Sequence, residues 1–483
     1  MNSDNGRRLS LHIFFFPFLA HGHITPMLHL ARLFSSRGVK ATVITTPLNA
    51  SLIPHAGDVH IQTIDFPCPQ KTVLPQGCEN LHSVPSQDLI PAFLKATAML
   101  REPLEQALSQ CAPHCIVADM MFPWVTRSAA EFGIPVLVFN GSGFFTLCAV
   151  ECMSLYRPYE DVSTDWDAFV IPSLPGEIKM TRTEVGHYVM RNEEPETMKF
   201  FEASEESNAE SYGVLVNSFH ELEHDYVEYC RKVLGKKAWH VGPVSLCRRH
   251  TDGKRERESE ESNAKHECLK WLDTREPSSV VYVCFGSLTS FPKSQLREIA
   301  KGLEASGHQF IWAVATSTKS NNNRDEDEEE WLPDEGYEKR IEGKGLIIRG
   351  WAPQVQILEH KATGAFMTHC GWNSMLESVC AGVPMITWPN YADQFYNEKL
   401  VTSVLKIGVG VGAKNWSRLE RERIEWEAIE KAVRRMMEGE EAEEMRKKAK
   451  ELACKASQAM QEGGSSLSSL DSLIHHLISS SHH

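Results

Sequence analysis

A chain of 483 residues with 42% hydrophobic side chains is long enough to bury two or more separate cores. Its formal charge of −14, with no dense Lys/Arg cluster, argues against nucleic acid as a partner. Thirteen cysteines lie scattered without a C-x-x-C pair, which fits reduced thiols in the cytoplasm. The "CAPHC" stretch (Cys111, His114, Cys115) lacks a second ligand pair at zinc spacing.

The first apolar run, "LHIFFFPF", follows two arginines and precedes the small residues Ala20 and Gly22, an order that also suits a secretory signal. His12 and Pro17 interrupt the run, however, and an α/β pattern continues beyond it. It is therefore read as a buried first strand. A helix over "PMLHLARLFSSRG" follows, with Pro26 near its start, and then a strand in "VKATVITTP". Next come the strand "CIVADM", the helix "FPWVTRSAAEFG" and the strand "IPVLVFNG", and this half closes near "YGVLVNSF" and "KAWHVGP". Residues 246–266 are charged and poor in apolar side chains, as a linker is.

The second half repeats the rhythm. Strand "SSVVYVCFGS" leads to helix "KSQLREIAKGLEASG", then to "HQFIWAVAT" and "GLIIRGWAP", with an acidic surface insertion between the last two. After the helix "QVQILEHKA" come the strand "GAFMTHC", the helix "NSMLESVCAG", the strand "VPMITWP" and the helix "DQFYNEKLVTSVLK". Two more helical segments finish the chain, and no apolar run approaches the ~20 residues that span a bilayer. Strands alternating with helices predict parallel sheets, so the fold class is α/β: two doubly wound domains facing each other across a cleft. Ligands in such folds sit outside the carboxyl ends of the strands.

One such strand end stands out. Between "GAFMTHC" and the next helix, Gly371 permits a tight turn, and the helix N-terminus favours a phosphate. His369, Asn373 and Ser374 add donors there, and Glu377, a turn later, suits ribose hydroxyls. A second candidate phosphate loop lies at "CFGS", with Gly286 and Ser287. A capped helix with satisfied polar residues is the plainer alternative. In the first half, "AHGHITP" places His21 and His23 on a loop after the first strand, and Asp119 ends another strand of the same sheet. Histidine suits general-base work at neutral pH, and a carboxylate can orient it. A structural histidine, a metal pair or a helix cap would use the same residue types.

From Trp351 to Gln394 the sequence "WAPQVQILEHKATGAFMTHCGWNSMLESVCAGVPMITWPNYADQ" spans 44 residues. It resembles, nearly position for position, the signature box of plant secondary-product glycosyltransferases, which use UDP-sugars. The likeness runs from "FFFPFLAHGHITP" through "VADMMFPW" and "VNSF" to "DQFYNEKLV", closest to the branch that acts on flavonoids and triterpenoid sapogenins. It implies the GT-B architecture of two Rossmann-like domains. Residues 1–245 would bind the acceptor, 246–266 link, 267–460 bind the UDP-sugar, and 461–483 form a helix returning to the first domain. It also implies that Trp351 stacks on uracil, Ala352 binds its edge, and Gln354 with Glu377 holds ribose. His369, Asn373, Ser374 and Ser287 would hold the diphosphate, and Trp372, Asp393 and Gln394 would meet the sugar. His23 would be the base and Asp119 its partner in a single inverting displacement giving a β-glucoside.

The resemblance further implies UDP-glucose as donor, a small lipophilic acceptor, no cofactor and no metal; a monomer in the cytoplasm, without membrane insertion, is expected. A closing Gln usually accompanies glucose in this family. Galactose, xylose or glucuronic acid as donor sugar, and a hormone or coumarin as acceptor, stay open. Two departures stand out: "NYA" precedes the closing Asp-Gln pair where relatives carry Leu-Phe-Ala, and Gly141 stands where many place Thr or Ser, with Ser142 as the candidate substitute. Phe122, Trp124, Phe144 and Phe145 are candidate acceptor walls. A Ser–His23–Asp119 hydrolase lacks its G-x-S-x-G elbow. Retention of both His23 and Asp119 speaks against a silent binding protein.

Overall fold

The computed structural model describes residues 11–53, 57–193, 195–247, 267–286, 289, 291–314, 332–334, 336–417 and 422–480. Its first half contributes strands β1 (His12–Phe16), β2 (Lys40–Thr45), β3 (His60–Thr63), β4 (Cys115–Asp119) and β5 (Val136–Asn140). A hairpin of β6 (Ala168–Val170) and β7 (Lys179–Thr181) precedes β8 (Gly213–Val216) and β9 (Ala238–His240). The large sheet runs β3-β2-β1-β4-β5-β8-β9, every pair parallel. The second half supplies β10 (Val280–Cys284), β11 (Gln309–Val314), β12 (Gly345–Arg349), β13 (Thr363–Thr368), β14 (Met385–Thr387) and β15 (Gly408–Gly410). These form a parallel sheet in the order β12-β11-β10-β13-β14-β15.

Both sheets are doubly wound and Rossmann-like. Strand order reverses between β1 and β4 and between β10 and β13, which is where crevices open at the strands' carboxyl ends. His23 follows β1, Asp119 ends β4, Gly286 follows β10 and His369 follows β13.

The central strands are continuous apolar runs because both of their faces are covered. The pleat sends Phe14 and Phe16 to one side of the first sheet and Ile13 and Phe15 to the other. In the second sheet Val281 and Val283 face one cluster, Val280 and Tyr282 another. The inner cluster runs unbroken from Ile13 and Phe15 through Tyr282 and Leu376 to Leu470 and Leu477. The helix Ser465–Ser480 supplies the last two residues and packs against β9, with Ser466 Oγ donating to the carbonyl of Gly242.

Several contacts join the halves. Trp372 is 3% exposed, and its indole Nε1–H donates to the Asn217 carbonyl at 2.9 Å. Lys399 Nζ lies 2.8 Å from Glu184 Oε1, and the Trp416 N–H donates to Thr183 O at 2.8 Å. Thr146 Oγ1 donates to Asn397 Oδ1 at 3.1 Å.

The structure departs from the sequence reading at short or polar elements. Edge strand β3 (HIQT) and strand β15 (GVG) carry no apolar run, and the β6–β7 hairpin is only three residues a side. The first helix begins at His21, five residues before the expected start, since Pro26 is tolerated inside it. The helix expected over 393–406 is an α-helix, Gln394–Lys399, running into a π-turn, Leu400–Val404. The proposed linker cannot begin at 246, because Leu246 and Cys247 are buried in the turn Val244–Cys247. The rest of it and most of the acidic insertion lie outside the described residues. Among the described residues, no helix is long and apolar enough to cross a membrane.

Gly143 sits where the halves meet. A Cβ there would lie 2.4 Å from Trp372 Cη2 and 2.6 Å from Glu223 Oε1, and both side chains are buried. Overpacking of this kind costs about 1–3 kcal/mol. Gly143→Ala is therefore expected to lower the stability measured by urea unfolding by that amount. An unchanged midpoint would show that the interface yields.

Candidate active site

The chain leaves β1 at Phe16 and turns into the helix His21–Ser36, whose N-cap Ala20 has no capping side chain. His21 and His23 therefore belong to the first helical turn rather than to a free loop. His23 Nδ1 lies 2.9 Å from Asp119 Oδ2, while Asp119 Oδ1 accepts the Met121 N–H at 3.0 Å. Asp119 is 2% exposed and His23 32%. A carboxylate accepting at Nδ1 leaves Nε2 as the basic nitrogen. Withdrawal from water lowers the His23 pKa, but the Asp119 charge and hydrogen bond, with the Asp393 charge, raise it further, so the net shift is upward. His21 is exposed, its ring 4.5 Å from that of His82. Burial first, then His21 and His23, push the His82 pKa down to about 4, so His82 is neutral at pH 7.

Across the cleft, His369 is enclosed by two glycines. A Cβ on Gly286 would stand 2.8 Å from its Cε1, and one on Gly371 2.4 Å from its Nε2. The helix Trp372–Ala381 starts immediately after Gly371 with no side-chain cap. Its first N–H groups have no partners within the helix and carry the positive end of its dipole. Gln354 Nε2 donates to Ser374 Oγ at 3.1 Å and to Glu377 Oε2 at 2.7 Å, which brings three of the expected residues together. Trp351, in the same connection as Ala352, is 79% exposed and offers an indole face that a planar ring can cover.

Asp393 faces the first domain. Its Oδ2 accepts from Ser142 Oγ at 2.7 Å, so Ser142 does make a contact that Gly141 cannot. Burial raises the Asp393 pKa, against the hydrogen bonds from Ser142 and Asn397. Gln394 is buried, and its Oε1 accepts the N–H groups of Asn390 and Tyr391 at 2.9 and 3.1 Å. Its carbonyl thus closes its own loop, leaving Nε2 as the group it can present. Asn373 Nδ2 donates to Gly22 O at 2.7 Å, across the cleft.

Some expectations need correction. Trp372, expected to meet the sugar, has its ring buried against Gly143 and its indole N–H bonded to Asn217, which leaves its backbone N–H at the helix start. Phe122, Phe144 and Phe145 are core residues: Phe122 stacks on Phe16 at 4.2 Å, and Phe145 meets Tyr226 edge-on at 4.8 Å. Trp124 is part-exposed, with Met120, Met121 and Leu89 among the partly buried apolar residues on the same cluster. Ser287 lies outside the described residues. Sequence reasoning missed Gly22, Asn217 and Glu223. The only trace of Gly22 is Pro26 four residues later.

The arrangement is a carboxylate-paired histidine on the first sheet's side of the cleft and an uncapped helix N-terminus on the second's. Among the described residues, no group of three or more His, Cys, Asp or Glu is placed to share a metal ion.

A family profile described as UDP-glucoronosyl and UDP-glucosyl transferase matches residues 181–446, and one described as glycosyltransferase, N-terminal domain, matches 10–246. The chain is 51% identical over 472 residues to scopoletin glucosyltransferase of Nicotiana tabacum, covering 96% of this chain and 97% of that protein. It is 52% identical over 476 residues to UDP-glucose flavonoid 3-O-glucosyltransferase 7 of Fragaria ananassa, covering 96% and 95%. Glycyrrhiza uralensis UGT73P12, solved in complex with glycyrrhetinic acid 3-O-monoglucuronide, superposes with a TM-score of 0.87 at 40% identity, over 97% of this chain and 96% of that one.

Asp119→Asn removes the charge that holds the His23 pKa up and leaves the burial that pushes it down. The imidazole pKa, followed by NMR titration, is expected to fall below that of the wild type. A rise, or no change, would mean that Asp119 does not govern His23.

Proposed function

This chain belongs to the plant UDP-glycosyltransferase family, and from that premise we propose that it transfers glucose from UDP-glucose to a hydroxyl of a small lipophilic plant metabolite, with inversion. The observation that carries the mechanism is the 2.9 Å His23–Asp119 pair, set at one strand crossover and facing the helix Trp372–Ala381 at the other. His23 Nε2 takes the acceptor proton while the acceptor oxygen attacks the anomeric carbon. Asp119 stays ionised and stabilises the imidazolium. The bond to UDP breaks from the opposite face, so an α-linked donor gives a β-glucoside.

The leaving diphosphate meets the helix N-terminus, His369, Asn373 and Ser374, with Ser287 assigned there by family resemblance. Fixed donors of this kind neutralise developing charge without a metal ion. Trp351 covers the uracil, Ala352 binds its edge through the backbone, and the bonded pair Gln354–Glu377 holds ribose. Asp393, Gln394 Nε2 and the backbone N–H of Trp372 address the sugar. No arginine adjoins the Asp393–Gln394 pair to favour a glucuronyl carboxylate. For the acceptor, the relatives named for scopoletin and a flavonoid support a flat phenolic, and the Glycyrrhiza structure's ligand supports a triterpenoid. The part-exposed Trp124, Met120 and Met121 suit either. Both halves of the site come from one chain, which supports the monomer as the acting unit. Thirteen free thiols support the cytoplasm as its compartment.

The test is competition between UDP-glucose, UDP-galactose, UDP-xylose and UDP-glucuronic acid, in excess EDTA, against flavonoid, coumarin and triterpenoid acceptors, read by product mass. Glucoside should dominate. A missing buried hydrogen bond costs about 1–3 kcal/mol, so the wrong epimer should lose roughly ten- to a hundredfold in efficiency. Dominance of another glycoside would overturn the donor, and a strict need for added magnesium or manganese the metal-free mechanism.

His23→Ala should lose about 10²–10⁴-fold in kcat while UDP titration stays near wild type. A base must be neutral, and the His23 pKa is raised, so wild-type activity should climb with pH through a value above the ordinary 6.5. In Asp119→Asn that limb should move to lower pH and its plateau should fall. Wild-type turnover in His23→Ala would remove His23 from the mechanism.

A further inference from the structure

Pro26 lies inside the helix that carries His23 and has no N–H to donate to the carbonyl four residues back. That carbonyl is Gly22 O, and it is the one that Asn373 Nδ2 reaches from the second domain, at 2.7 Å. The proline thus frees an acceptor that the facing domain occupies. Gly22 O and the N–H of His23 belong to the same planar peptide unit. The His23 N–H donates to Ala20 O at 2.9 Å, so this plane is pinned on one side by its own turn and on the other by Asn373. Turning the plane would turn the Cα that bears the base.

We propose that Asn373 is a positioning residue for His23. One N–H of its amide holds the Gly22 carbonyl and the other reaches the donor diphosphate, so that donor binding fixes the helical turn that aims the imidazole. The first contact is in the structure; the second rests on the functional reading above. A primary amide nitrogen has two N–H groups and can serve both partners at once. The base is then held in its attacking geometry when the leaving group is in place.

A double-mutant cycle separates this role from simple phosphate binding. Pro26→Ala supplies the missing helical N–H to Gly22 O, and alanine is the better helix former, so that variant should fold. The wild type, Asn373→Ala, Pro26→Ala and the double variant are compared by calorimetric UDP titration, kcat and KM with one accepted acceptor. Asn373→Ala should weaken UDP equally in both backgrounds. Misplacement of a catalytic group by about 1 Å can cost a hundredfold, so its kcat loss should be about tenfold or more in the wild-type background and about threefold or less in the Pro26→Ala background. Equal kcat losses in the two backgrounds, with UDP bound by the wild type, would overturn the positioning role and leave the functional reading standing. A wild type that neither binds UDP nor forms product would overturn both.

Discussion

The geometry of the cleft depends on one buried indole. Trp372 leaves the second domain directly after the Gly371 turn and ends in the first, with its Nε1–H on the Asn217 carbonyl and its ring against Gly143. Burying a side chain of this size is worth about 3–5 kcal/mol on truncation. Because Trp372 is also the first residue of the helix whose N-terminus faces His23, its anchoring fixes that terminus against the opposite sheet. The Lys399–Glu184 pair and the Trp416–Thr183 bond hold the other side of the interface. Both members of that ion pair are largely buried, so it is less screened than a surface pair.

The electrostatics follow from this closeness. Asp119 and Asp393 approach His23 from different domains, and both raise its pKa. A stronger base results, but one that is neutral only at higher pH. Burial raises the Asp393 pKa and the hydrogen bond from Ser142 opposes that rise, so the first domain acts on the ionisation of a residue assigned to the sugar. Glu223, fully enclosed, accepts from the Phe145 N–H and from Ser218, and so supports the start of the helix that follows the Gly141–Gly143 loop.

Much of this was legible in the sequence for physical reasons. Central parallel strands need apolar residues on both faces, so β1, β4, β10 and β13 stand out as largely apolar segments, and the residues just beyond them are where crevices must open. His23, Asp119 and His369 were found that way, and the family likeness supplied their roles. Edge strands β3 and β15 escape because β3 has a single apolar residue and β15 is mostly glycine, whereas the edge strand β12 keeps an apolar run. Contacts between domains leave almost no pattern. Nothing in "CGWNS" says that the indole crosses to Asn217, nor that the phenylalanines of "NGSGFF" turn into the core rather than toward a substrate. The departure at Gly141 drew attention to Ser142 as a partner for the donor sugar, and the bond it makes in the structure is to Asp393 of the other domain.

The inner core, which takes side chains from Ile13 to Leu477, bears on how the protein is made. The helix Ser465–Ser480 that closes against β9 leaves the ribosome long after the strand it covers. At roughly 5–20 residues per second, the ~240 residues from β9 to the end of that helix take on the order of 10–50 s to synthesise. Through that interval the first sheet has its strands but not the helix that covers its end. The nascent chain therefore passes through a stage with one apolar flank open, the kind of surface on which holding chaperones act.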